Sequence, residues 1–149
     1  MDPSEYRPLG RLPVAAMALE IILGVGAMGG GIALMAGPHG EILPLPVSAL
    51  AGSFFEDYFV PGAILFSILG LGPLGAAAAA WRRWPVARYL ALAVGGALLI
   101  WLVSEIAIVG YSNHPPLQAL YLALGVVMVL VAVAWIRQAA TLARMKTGP

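Results

Sequence analysis

The sequence predicts an all-α membrane protein: four transmembrane helices in an up-down-up-down bundle, formed by one domain spanning residues 1–149. Three observations predict it. Hydrophobic residues make up 61% of the chain and charged residues 10%, whereas a soluble domain is about 45–50% apolar and about a quarter charged. Four apolar runs are each long enough to cross a hydrocarbon core about 30 Å thick, which takes about 20 helical residues. All eight Lys and Arg fall on one side of the resulting four-span scheme. Backbone groups cannot stay unpaired in lipid, so spans are helices or closed barrels. These runs are about twice barrel-strand length and do not alternate, which leaves helices.

The first span is predicted at residues 13–36, apolar except for Glu20. It is too long for a signal-peptide core of about 7–15 residues, and is read as a retained helix. It contains Gly26 and Gly30 in a GxxxG spacing that lets helix backbones approach closely, either inside one bundle or between two copies. Residues 37–58 form a long first outer loop with too much Leu, Val and Phe for a solvated segment. It is expected to lie at the interface across the helix ends, with a short helix within 47–58. The second span, 59–81, is uncharged, and its start has two readings. A Ser53–Glu56 capping box would place Pro61 inside the helix, where it bends it; Asp57 as the cap would place Pro61 in the first turn. Gly70-Leu71-Gly72-Pro73 predicts a further bend. Trp81-Arg82-Arg83-Trp84-Pro85 makes a tight turn with tryptophans at headgroup depth. The third span, 89–110, is interrupted only by Glu105, and the short connection 111–116 leads into the fourth, 117–136.

Cytoplasmic loops are enriched in Lys and Arg. Arg7, Arg11, Arg82, Arg83, Arg88, Arg137, Arg144 and Lys146 lie in the tails and the middle connection, and the other two loops have none. Both termini are therefore expected in the cytoplasm. The excess of Arg over Lys, with abundant Ala and Gly, suggests a GC-rich bacterial genome and so a bacterial cytoplasmic (inner) membrane.

Several function classes are disfavoured. A net charge of +1 offers nothing to nucleic acid. The absence of cysteine removes disulfides, thiolate catalysis and cysteine-ligated metals. His39, Glu41, Glu56, Asp57 and His114 lack metal-ligand spacing, and the serines stand in no nucleophile motif, so no catalytic residue, metal or cofactor is expected. Expected partners are membrane lipids and either a second copy or another membrane protein.

Two carboxylates lie within spans, where a charge is expensive and by default marks function. At about 1.5 Å per residue, Glu20 lies roughly 10 Å from the inner edge and Glu105 roughly 24 Å, too far apart in height to share a ligand. Glu20 is expected near the inner interface, either protonated or reaching down to Arg11 or Arg83. Glu105 has more polar company. Trp101 is one turn earlier on the same face; His114, Gln118 and Tyr121 lie at the same outer level, and Asp57 and Tyr58 can join from the first hairpin. This cluster is the candidate site.

The stretch Gly52-Ser53-Phe54-Phe55-Glu56-Asp57-Tyr58-Phe59-Val60-Pro61-Gly62 resembles a G-S-P-F-x-D-Y-x-x-P-G pattern in an uncharacterised family of small bacterial four-span membrane proteins. Trp101, Glu105, and Gln118 with Tyr121 match further family positions, and the likeness covers most of residues 37–125. Phe54 departs from the usual proline. The resemblance implies architecture and topology but no activity. The residues thus point first to a non-enzymatic accessory or interaction subunit. The alternative is a protein that binds or passes a proton, a cation or a small amphiphile at the cluster around Glu105.

Topology is directly testable in a cysteine-free chain. A cysteine at Ser112 should react with a membrane-impermeant thiol reagent in intact cells, and one at Thr141 only after the membrane is opened.

Overall fold

The computed structural model describes residues 9–111 and 116–147, with side chains described up to Met145. It is an all-helical bundle of four helices, each long and apolar enough to cross a membrane: α1 (Arg11–Ala36), α2 (Phe59–Trp81), α3 (Ala87–Val109) and α4 (Leu117–Thr147). No strand occurs among the described residues. The first three match their predicted ranges to within two residues. The fourth does not: it has 31 residues and continues past the expected end at 136. Residues 137–147 contain no Gly or Pro and are rich in Ala, Leu, Arg and Met, all good helix formers. At about 1.5 Å per residue, α4 is about 46 Å long, longer than a hydrocarbon core of about 30 Å.

The helices alternate in direction. Ala16 from early α1, Ala91 from early α3 and Ala132 from the middle of the long α4 form one buried cluster. Ala79 and Ala80 from late α2 meet Ala87 in a second. This end of the bundle carries the arginines and is called the basic end; the opposite end is the loop end.

Local chemistry decides how α2 begins. The Phe59 N–H donates to Asp57 Oδ1 at 2.8 Å, while Ser53 Oγ accepts only from the Phe55 N–H. The helix therefore starts after Asp57 and no capping box forms. Pro61 falls in the first turn, where its missing N–H removes no helical bond. The bend expected at Gly70–Pro73 takes the form of π-helical turns over Leu65–Leu71, with the Gly72 N–H donating to Ser67 O, five residues back. Pro73 has no N–H to offer and crowds the preceding turn, and widening the helix relieves both. Ser67 Oγ covers the Ala63 carbonyl at 2.6 Å.

The loop between α1 and α2 is ordered against the bundle. It holds a single 3₁₀ turn at Val47–Leu50, where a short helix was expected. Leu50 and Tyr58 are buried against Leu34 of α1.

Close backbone approach holds α1 on α2. A Cβ at Gly24 would lie 2.9 Å from Gly70 O, and one at Gly31 would lie 2.7 Å from Gly62 O. Only glycine allows these crossings. The expected Gly26–Gly30 pair is not the contact surface: Gly26 lies beneath the Tyr121 hydroxyl and Gly30 meets only the Leu65 side chain. The tight glycines are seven residues apart, on the stripe of α1 that includes Ala16, Glu20, Leu23 and Ala27. α3 and α4 pair likewise, with Gly95 against Val129 and Gly125 against Leu99. Large apolar side chains such as Ile22, Val25, Ile100 and Leu130 point outward, as expected of a lipid-facing surface.

The packing contrast within α1 is testable. Gly31→Val should destabilise the bundle by roughly 1–3 kcal/mol through overpacking, read as earlier unfolding in a detergent denaturation series. Gly29→Ala, with open space around its Cβ, should leave the midpoint unchanged.

Candidate functional site: a cavity between the two hairpins

Alanines bring the helices together at the basic end, but toward the loop end the two hairpins separate. Between them lies a cavity of about 610 Å³. Its floor is Leu23, Leu69 and Leu98, all nearly fully buried in the central core. Its roof comes from the first loop, through Leu43, Leu45, Leu50 and Phe55. The α1 wall is low, because Gly26, Ala27 and Gly30 line it. Most of the surface is hydrocarbon.

The polar exception comes from α3 and α4. Trp101 Nε1 donates to Glu105 Oε2 at 3.1 Å, along one helical turn. Gln118 Nε2 donates to Glu105 Oε1 at 3.2 Å and to Gly110 O at 3.1 Å. The second bond engages a carbonyl at the end of α3, where Gly110 leaves the helix at φ +86°. Gln118 thus ties the start of α4 to the end of α3 while holding the carboxyl group. Tyr121, one turn further along α4, brings its hydroxyl over Gly26 of α1. All four side chains line the cavity. A carboxylate has about four acceptor positions, and these two donors leave capacity for a further one from the cavity side.

The remaining expected members of the cluster fall elsewhere. Tyr58 lines the cavity, but its hydroxyl donates to Pro46 O at 3.1 Å and its N–H to Pro38 O at 2.9 Å, so it mainly pins the loop that forms the roof. Burial pushes the pKa of this phenol up, which keeps the donor on the oxygen into alkaline solution. Asp57 does not join the site; its carboxylate is engaged at the start of α2. His114 lies outside the described residues. Near the loop tip, Glu41 Oε2 accepts from the His39 N–H at 2.9 Å and Oε1 lies 3.5 Å from His39 Nδ1. Its own N–H and that of His39 hold its pKa below the ordinary carboxylate value. No group of three His, Asp or Glu converges on one point among the described residues.

Glu20 corrects one expectation. It does not reach Arg11 or Arg83: it is 1% exposed, and neither carboxyl oxygen has a hydrogen-bond partner. The sequence did not signal the cavity itself. Its hydrocarbon walls consist of leucines indistinguishable by pattern from core leucines, and its roof depends on how the loop folds back.

No protein-family model, curated protein or solved structure matches the chain.

Replacing Glu105 separates charge from hydrogen bonding. Glu105→Leu removes the acceptor of the Trp101 indole N–H and of one Gln118 Nε2 bond, and should cost about 1–3 kcal/mol. Glu105→Gln preserves an acceptor and the shape, and should cost less than half as much. Thermal unfolding in detergent reads both.

Proposed function

We propose that this chain is an amphiphile-binding membrane protein whose ligand is a single-chain lipid-like molecule with a hydroxyl or ammonium head. The observation that carries the reading is the cavity itself, about 610 Å³ of leucine-lined space with one carboxyl-centred polar wall. Small-molecule sites are typically about 300–1,000 Å³, mostly apolar, with a few placed polar groups that orient the ligand. An acyl chain would occupy the volume over the Leu23–Leu69–Leu98 floor, gaining about 0.8 kcal/mol per buried CH₂ where it leaves water. The head would face Glu105, whose remaining acceptor capacity suits a donor and disfavours a second anion. No Lys or Arg stands at the loop end of the described chain, so nothing there competes for the carboxyl group or attracts an anionic head.

Sidedness follows the arginines. With the basic end in the cytoplasm, the cavity lies in the outer leaflet, and its ligand would enter from that leaflet or from the outer water. The glycine-rich face that favoured an interaction subunit is largely used within the bundle: Gly24 and Gly31 pack α1 on α2, and Gly26 and Gly30 line the cavity. That leaves the binding reading with the better structural support. The proposal includes no reaction.

The chain purified in a mild detergent should carry a bound amphiphile, detected by native mass spectrometry and identified after organic extraction. Gly30→Phe, which fills the cavity from its low wall, should lose that molecule while retaining the helical circular dichroism of the parent. Equal occupancy in parent and variant, or none in either, would count against the site.

A further inference from the structure

Glu20 lies outside the cavity, on the far side of its leucine floor. It belongs to the buried stripe of α1, one turn from Ala16 on one side and Leu23 on the other. The residues packed around those two neighbours define its surroundings. Ala16 meets Ala91 of α3 and Ala132 of α4; Leu23 shares a core with Leu69 and Ala76 of α2, Val94 and Leu98 of α3, and Met128 of α4. Trp135 also packs on the alanine cluster, and Trp101 and Tyr121 on the leucine core, but none of these donors bonds to Glu20. The basic groups of the same helices sit toward their basic ends: Arg11 on α1, Arg88 on α3, and Arg137, Arg144 and Lys146 on α4, with Arg82 and Arg83 just beyond α2, while Glu105 of α3 lies beyond the leucine floor in the cavity wall. Arg88 also has a buried Nε without a partner, but no ion pair or hydrogen bond connects it or any other described residue to Glu20.

An ionised carboxylate buried without a partner or donor is among the most unfavourable groups a protein interior can hold. Three things could relieve it: a cation, a metal ion or a proton. The cationic side chains do not reach it. A calcium ion needs about six to eight oxygen ligands and magnesium nearly ideal octahedral geometry, whereas the side chains around Glu20 supply none beyond its own two. Only a proton needs no further ligand.

We propose that Glu20 is a proton-binding site in the interior of the bundle, filled while the four helices are packed and emptied only when they part at its level. The carboxyl group is thus held as a neutral acid while the helices are packed. Losing its proton would leave a buried anion with no hydrogen-bond partner, so release is coupled to entry of water or separation of the helices. Leu23, Leu69 and Leu98 block exchange with the cavity. The proton therefore exchanges with the basic end, past the contact of Ala16, Ala91 and Ala132 on which Leu92, Val131 and Trp135 pack. This site is independent of the amphiphile cavity, and either can stand without the other.

Infrared spectroscopy in an alkyl maltoside micelle, which has no carbonyl of its own, tests the proposal on the full chain. The spectrum at neutral pH should contain the carbonyl stretch of an undissociated carboxylic acid, present in Glu105→Gln and lost in Glu20→Gln. On raising the pH that band should disappear in step with faster hydrogen exchange of the amides around residues 16–24. Glu20→Gln should show no such pH-dependent step. If Glu20→Gln does not fold, Glu20→Met, which matches the surroundings, provides the same subtraction. The proposal is overturned if the Glu20 subtraction contains carboxylate bands instead of the acid carbonyl at neutral pH. It is equally overturned if the exchange step persists without the carboxyl group.

Discussion

The close crossing of α1 and α2 shapes the whole molecule. Inside a bilayer, helices gain nothing by hiding apolar surface from lipid, so association depends on fit and on hydrogen bonds. Gly24 against Gly70, and Gly31 against Gly62, bring two backbones to a distance that any side chain would prevent. Gly70 belongs to the π-helical turns that precede Pro73. A proline placed for its missing donor thus widens α2 in the same stretch that presents a bare backbone to α1. The first hairpin becomes one rigid half of the molecule, and the glycine-centred contact of α3 with α4 makes the other.

How the halves meet depends on side-chain volume along their length. Near the arginines, alanines from all four helices interlock, leaving little space. In the middle, three buried leucines close the core. Beyond them the halves separate, and the loop over residues 37–58 folds across the gap, held by the two hydrogen bonds of Tyr58. The cavity is what remains between two well-packed hairpins that touch fully at only one end.

The two intramembrane carboxyl groups show how surroundings, more than residue type, set a role. Glu105 has two donors fixed on its oxygens, and those donors belong to helices whose mutual position it helps to hold. Glu20 has none and is buried within the bundle. One is a polar wall fixed by donors from two helices; the other is a buried carboxyl group that no side chain bonds.

The sequence by itself determined the number of spans, the limits of the first three, the ordered apolar loop and the company of Glu105 with Trp101, Gln118 and Tyr121. Each of these comes from local pattern: apolar run length, turn residues, and the helical spacing that puts residues 101 and 105 on one face. The start of α2 just after Asp57, with Pro61 in its first turn, was close to one of the two local alternatives, although Tyr58 takes the capping position itself. Tertiary structure decided the rest. Gly26 and Gly30 had the spacing of a packing motif, yet Gly24 and Gly31 make the contact, because which stripe of a uniformly apolar helix faces its neighbour is set by that neighbour's shape. Glu20 lost its expected arginine partners for the same reason: the face it occupies points into the bundle. A helix apolar on every side carries no amphipathic signal to show which way it turns. The cavity, which exists only between elements, could be read from no single one of them.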